Sequence, residues 1–281
     1  MSIGKTSATN GFDLRDFIVK YGFILVTVIL FVWFASTEPT FRMQNTLFSM
    51  LKFTSVVAIT GLGVTLTMVV GGLDLSVGSI AGLSVTLSAM TMVIYAQTGA
   101  IALVVVLLGG VLVGLFNAFL IVVLKIPDLL ATLATMFTIM GLKLVPVDGQ
   151  SVSSGLILRD GSVAPGKFTP GFLLIDRAYI GPVPLPVAIF FILAFVVWIF
   201  LTKTRWGRVM YAIGSNPEAA RLAGVRVQRY RALAYVLSGV FASIGGLILS
   251  SRIGQGDISA GNSLLRVWRD QTLGVQLLVQ F

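Results

Sequence analysis

The 281-residue chain contains no cysteine and no histidine. It therefore cannot form a disulfide, a thiolate nucleophile or a Ser–His–Asp triad, and it lacks the commonest metal ligands. Charge is also scarce, because 11% of residues are charged, against about 25% in soluble domains. The sequence has no GxxxxGK[ST] phosphate loop and no GxGxxG after a strand. We expect a chain that is not an enzyme and that holds no metal or cofactor of its own.

Apolar residues fill the sequence instead. They make up 56% of it, and the mean hydropathy is +0.97. Long apolar runs predict helical spans, whereas a membrane barrel shows short alternating segments. The predicted fold class is all-α, a polytopic transmembrane helical bundle of about seven spans with a broken helix near Asp74. The predicted spans are Tyr21–Ala35, Thr54–Val70, Val77–Tyr95, Ala100–Leu124, Leu129–Val145, Val187–Thr202 and Ala232–Ser250, with Met43–Phe53 as an interfacial helix.

A single acid lies in the least polar part of the chain. Asp74 is the only charged residue between Phe53 and Leu124, and a charge at bilayer depth costs about 3 kcal/mol on insertion scales. Gly71, Gly72 and Gly78 surround it, and glycines let the backbone leave a helix. We interpret the stretch as a break between two apolar helices.

At this break Asp74 is expected to accept hydrogen bonds from freed backbone N–H groups and from the hydroxyls of Ser76 and Ser79. Its role would then be structural first, helped by the dipole of the following helix. The alternative is an ordinary loop at one membrane face, in which Asp74 is solvated.

Residues 203–231 form the most basic segment of the chain. Seven of the twenty basic residues lie there, opposed only by Glu218: Lys203, Arg205, Arg208, Arg221, Arg226, Arg229 and Arg231. The positive-inside rule predicts that this loop is cytoplasmic. The same rule accounts for the net charge of +9, so we expect no nucleic-acid partner.

A short helix is predicted inside this loop. Asn216 suits the N-cap, Pro217 the first helical position and Glu218 the first turn, while Gly224 suits a helix stop. Two interpretations remain open. The loop either sets membrane topology without a partner, or presents a rigid helix on which a partner docks.

The charges give a consistent topology. With a cytoplasmic N-terminus, Lys125 after the fourth span and the basic loop after the sixth are both inside. The Gly- and Pro-containing segment of residues 147–186, with a short hairpin, then lies outside. The same count puts the Asp74 break at the inner face, although no Lys or Arg lies beside it to fix the side.

Two motifs resemble one family. Residues 71–79 (GGLDLSVGS) resemble the signature of permease subunits of bacterial monosaccharide ABC importers, the ribose, galactose and xylose group. Residues 207–224 resemble the cytoplasmic coupling loop of that family, and within them EAAxxxG runs from Glu218 to Gly224. Residues 237–239, 245–247 and 250–252 continue the likeness, which runs from about Ser36 to Gly261.

The resemblance implies a permease domain over residues 1–261 of a multi-pass protein in the bacterial inner membrane. It also implies a second permease copy, a cytoplasmic ABC ATPase that binds ATP-Mg, and a periplasmic sugar-binding protein. The coupling role would fall on Asn216, Glu218, Ala219, Ala220, Arg221 and Gly224, and the signature on Gly71, Gly72, Asp74, Ser76, Gly78 and Ser79.

Residues 262–281 depart from the family pattern, because Arg266, Arg269 and Asp270 interrupt what should be an apolar segment. We expect an atypical, truncated or frame-shifted tail there. Composition alone also allows an ion-coupled secondary carrier for a small polar solute, or a membrane scaffold that transports nothing. The capped helix favours the importer, because a carrier needs no rigid docking helix.

Overall fold

The computed structural model describes residues 14–261, which divide into two compact units, one up to Met50 and one from Leu51 onwards. The first unit contains helix α1 (Leu14–Thr37) and a 3-10 turn (Pro39–Arg42). In it the ring of Phe41 lies 5.2 Å from that of Phe31 and 5.9 Å from that of Phe34. These ring contacts hold the turn against the end of α1.

The second unit contains most of the helices. Helix α2 (Gln44–Val69) begins in the first unit and continues into the second. The helices that follow are α3 (Val77–Ala89), α4 (Gly99–Ala118), α5 (Asp128–Leu142), α6 (Pro170–Arg177), α7 (Leu185–Lys203), α8 (Arg205–Ser215), α9 (Pro217–Leu222) and α10 (Val227–Ile253). A π-helical turn extends α3 through Ile94 and another extends α4 through Val123, while a 3-10 turn (Val145–Val147) follows α5.

Seven helices within residues 14–261 are long and apolar enough to cross a membrane, which confirms the predicted polytopic bundle and its number of spans. The prediction of a separate interfacial helix over Met43–Phe53 is wrong, because α2 runs unbroken from Gln44 to Val69. The segment contains Lys52. Its ammonium group lies 3.4 Å from the carboxylate of Asp176, and this pairing lets a cation remain on a spanning helix.

Helix α10 is the centre of the second unit. Gly110 and Gly114 of α4 face Gly239 and the backbone of Tyr235, and a methyl group on Gly114 would lie 2.7 Å from the Tyr235 carbonyl oxygen. Gly246 makes a similar approach to Ala81 of α3, and Gly63 of α2 to Ser238. Small residues let membrane helices approach this closely. Three other spans therefore pack directly on α10.

The helices of the second unit have two distinct ends. We call the end that carries residues 203–231 the basic end, and it also contains the start of α5. At the opposite end lie residues 147–184, where α6 is tied to α10 through Ser251, whose hydroxyl accepts from the N–H of Asp176 and donates to the carbonyl of Phe172. The predicted short hairpin is present, as strands β1 (Tyr179–Ile180) and β2 (Val183–Pro184).

The basic loop is more helical than the sequence indicated. Helix α8 was not predicted, and α10 begins at Val227 instead of Ala232, so that Arg229 and Arg231 lie on a helix. Both differences follow from packing, since Met210 and Ile213 of α8 are fully buried. The predicted atypical tail, residues 262–281, lies outside the described residues.

Candidate functional site

The predicted break is present between α2 and α3. Helix α2 ends at Val69, Gly71 adopts a left-handed conformation with φ of +77°, and α3 begins at Val77. Residues other than glycine rarely adopt this conformation, so Gly71 suits the turn. Between the helices the chain passes through Asp74, whose side chain is buried with 1% of its surface exposed.

Three donors satisfy the Asp74 carboxylate. One oxygen accepts from the N–H of Ser76 at 2.9 Å and from its hydroxyl at 2.6 Å, and the other accepts from the hydroxyl of Ser238 at 2.7 Å. The amide of Asn117 on α4 donates to the Ser76 hydroxyl at 2.8 Å. We call these four residues the Asp74 cluster. It joins the break to α4 and α10, and hydrogen bonding offsets the cost of burying the carboxylate.

Two expectations about the break are corrected. Ser79 does not bond Asp74, because its hydroxyl donates to the carbonyl of Ser76 at 2.7 Å, while Gly78 and Ser79 are buried in the first turn of α3. The solvated-loop alternative is wrong, since Asp74 is buried among helices. Asn117 lies six residues before Val123, the end of the α4 π-turn, which places the cluster about 9 Å inside the basic end.

An ion pair between Arg231 and Asp128 lies next to Gly72, beside the Asp74 cluster. A guanidinium nitrogen of Arg231 on α10 lies 2.6 and 2.7 Å from the two carboxylate oxygens of Asp128, the first residue of α5. A methyl group on Gly72 would lie 2.6 Å from the Asp128 carboxylate and would overlap the hydroxyl of Tyr235. Glycine at this position therefore leaves room for the backbone of the break beside the ion pair.

Helix α9 has the predicted capping. The side-chain oxygen of Asn216 accepts from the N–H of Glu218 at 3.1 Å and from that of Ala219 at 3.0 Å, and Pro217 is the first helical residue. Gly224 ends the segment with φ of +82°. Glu218 pairs with Arg221 at 2.7 Å on the exposed surface. The helix start and stop read from the sequence are confirmed.

The two neighbouring alanines of α9 point in different directions. Ala220 is 6% exposed and packs in the apolar core with Met210 and Ile213 of α8. Ala219 is exposed, and Leu222 is 80% exposed. Helix α9 therefore has one face seated on the protein and one small apolar surface open to a partner.

Helix α8 connects this surface to the break. A methyl group on Gly214, near the end of α8, would overlap the carbonyl oxygen of Val69, and Gly71 lies against the Gly214 backbone. Gly207 approaches the backbone of Leu201 at the end of α7 in the same way. We call α8 and α9 the surface helix pair. The pair is in backbone contact with the residue that ends α2.

Sequence reasoning missed several residues of this site. Ser238, Gly214 and Leu222 all lie in or next to the matched motifs, but nothing in the sequence singles them out.

Outside this site, Lys143 was also not singled out from the sequence. It is 4% exposed at the opposite end of α5, where its ammonium group donates to the carbonyl of Ala260 at 3.2 Å. A lone cation inside a predicted span was the available signal.

The fold and site define a multi-pass membrane protein in which an exposed, capped helix, α9, packs on α8, and α8 contacts the break between two spans. Residues 46–266 match the family described as the permease component of branched-chain amino acid transport systems. The chain belongs to this family of permease components.

Curated relatives support the same class. The chain is 30% identical to the ribose import permease protein RbsC of Haemophilus influenzae, an alignment that covers 91% of this chain and 76% of the relative. It is 34% identical to RbsC of Bacillus subtilis, over 87% and 72% of the two chains. It is 27% identical to the xylose transport system permease protein XylH of Escherichia coli, over 92% and 77%. No solved structure gives a significant match.

Proposed function

We propose that this chain is the membrane-spanning permease subunit of an ATP-driven ABC importer that moves a monosaccharide, a pentose, hexose or related polyol, across the bacterial inner membrane. The observation that carries the proposal is the surface helix pair, which presents an exposed helix face and rests on the break between α2 and α3. The sugar class comes from the relatives, which are named for ribose and xylose.

The partner at the exposed face of α9 is a cytoplasmic ABC ATPase, which binds ATP-Mg. Ala219 and Leu222 offer it an apolar contact, while Glu218 and Arg221 flank that contact. The basic end is then cytoplasmic, as the positive-inside rule requires, and the N-terminus lies on the same side. Residues 147–184 face the periplasm and help to receive a sugar-binding protein, and a second permease copy completes the pathway.

The geometry supports a mechanical link from the ATPase to the spans. A displacement of α9 moves α8, because Ala220, Met210 and Ile213 share one buried core. Helix α8 in turn abuts the end of α2 at Gly214, where no side chain separates the two backbones. Tightly packed elements transmit small shifts without absorbing them. The shift would reach the break at Gly71 and the Asp74 cluster behind it.

Uptake by proteoliposomes tests the function. The purified chain is reconstituted with a cognate ATPase and binding protein, and the import of ribose, xylose and, as a control, leucine is measured. We expect import of a pentose that requires ATP on the ATPase side and persists when the proton gradient is collapsed. Import that follows the proton gradient at constant ATP would instead support the alternative, an ion-coupled carrier. The relatives, which are named as ribose and xylose permeases, do not favour that alternative.

A further inference from the structure

A groove of about 370 Å³ lies at the basic end, between the start of α8 and the start of α10. Its walls are Trp206 and Tyr230, whose rings lie 5.3 Å apart, and its rim carries Arg226 and Arg229. Gly224, the stop residue of α9, also lines it. The groove combines an aromatic wall with two cations, and no step of the proposed transport mechanism uses it.

The two arginines have no partner within the described residues. Neither guanidinium makes an ion pair or a side-chain hydrogen bond there, and both side chains are exposed. Arg226 is the residue before the 27-residue helix α10, Arg229 lies in the first turn of that helix, and both line the groove. Arginine forms bidentate hydrogen bonds with phosphate oxygens, and the positive end of the helix dipole favours an anion.

The depth of the groove points to the membrane surface. Trp206 comes three residues after Lys203, the last residue of span α7, and Arg226 immediately precedes span α10. Tryptophan and tyrosine concentrate where headgroups meet acyl chains. A free phosphate ion needs no aromatic wall, whereas a phospholipid presents apolar surface next to its phosphate.

We propose that this groove binds the phosphate headgroup of an anionic phospholipid in the leaflet at the basic end. Arg226 and Arg229 hold the phosphate, and Trp206 packs against the glycerol and upper acyl chain. Because Gly224 lines the same groove, a bound lipid also braces the end of α9. The proposal requires only that the chain resides in a bilayer, so it stands or falls separately from sugar transport.

Quenching of Trp206 by brominated lipid tests the proposal. Trp33, Trp198 and Trp268 are replaced by phenylalanine, and the protein is placed in phosphatidylcholine vesicles that contain a minor fraction of brominated phosphatidylglycerol or of brominated phosphatidylcholine. We expect the anionic lipid to be enriched around Trp206 by at least about fivefold, the factor that a single arginine near the membrane surface supplies. The double variant R226Q/R229Q should abolish the enrichment. The control R205Q/R208Q removes two charges from the same surface and should retain it.

Native mass spectrometry of the otherwise unmodified chain provides a second readout that does not depend on the tryptophan substitutions. Phosphatidylglycerol should remain bound to the wild type and to R205Q/R208Q, but not to R226Q/R229Q, and R226K/R229K should retain it only partly.

Two results would overturn the proposal: quenching that follows the bulk lipid fraction in the wild type, or an equal loss of lipid in R205Q/R208Q and R226Q/R229Q. So would displacement of the lipid by millimolar inorganic phosphate, which would indicate a free-anion site. Loss of ATPase co-purification by R226Q/R229Q with unchanged lipid enrichment would assign the groove to the ATPase interface instead.

Discussion

Replacing Asp74 tests whether its carboxylate holds the break together. In Asp74→Leu the N–H of Ser76 and the hydroxyls of Ser76 and Ser238 lose their acceptor inside the bundle. A buried donor left unsatisfied costs about 1–3 kcal/mol. We therefore expect Leu to lower the free energy of unfolding by about 3 kcal/mol or more.

Asparagine separates this structural role from a role of the charge. In Asp74→Asn the side-chain oxygen still accepts from Ser76, and the Ser238 hydroxyl can turn to accept from the new amide. We expect a loss of about 1 kcal/mol, close to that of one ordinary hydrogen bond. Ser238→Ala leaves the Ser76 bonds intact but deprives one oxygen of the buried carboxylate of its donor, so it should cost about 1–3 kcal/mol.

Equilibrium unfolding in mixed micelles of mild detergent and dodecyl sulfate, followed by circular dichroism, ranks these variants. The expected order of stability is wild type, then Asn, then Ser238→Ala, with Leu lowest. If Leu were as stable as Asn, the carboxylate would not be holding the break. An Asn variant that folds normally but loses all uptake would show that the charge itself takes part in transport.

Three further predictions concern the surface helix pair and the topology. Ala219→Trp, on the exposed face of α9, should uncouple ATP hydrolysis from uptake while membrane yield stays normal, and normal uptake would contradict ATPase docking there. Gly214→Ala should cost about 1–3 kcal/mol by overpacking against Val69, whereas Gly141→Ala, which lies in α5 and meets nothing within 4 Å, should be neutral or slightly stabilising in the same unfolding assay. A cysteine at Ser154 should react with an impermeant maleimide on intact spheroplasts, and one at Ser215 only after permeabilisation, while the reverse pattern would invert the topology.

The number of spans and the capping of α9 could be read from the sequence because both depend on local signals. Apolar runs of sufficient length mark the spans, and Asn216 and Gly224 bond or turn within their own segment. The Asp74 break was predictable for the same reason, since glycines and a buried acid adjoin in sequence. Its closest hydroxyl partner, Ser76, is also only two residues away.

Features that depend on distant residues could not be predicted. Ser238 lies 164 residues from Asp74, so its hydrogen bond to the carboxylate has no local signal. The pairing of Lys52 on α2 with Asp176, 124 residues away, has no local signal either. The sequence also did not show that Ala220 is buried while Ala219 is exposed. Helix α9 has only six residues, too few for a reliable periodicity, and helix α8, on which α9 packs, was not predicted.

Site-directed cross-linking tests the proposed ATPase contact most directly. Because the chain has no native cysteine, an introduced cysteine is its only site of labelling. A single cysteine at Ala219 or Leu222, on the exposed face of α9, carries a photoreactive benzophenone in the assembled complex, and one at Ser154 serves as the control from the opposite end. We predict a covalent adduct between the permease and the ATPase from both α9 positions and none from Ser154. A complex that hydrolyses ATP but gives no adduct from either α9 position, or gives one from Ser154, would contradict the proposed docking surface.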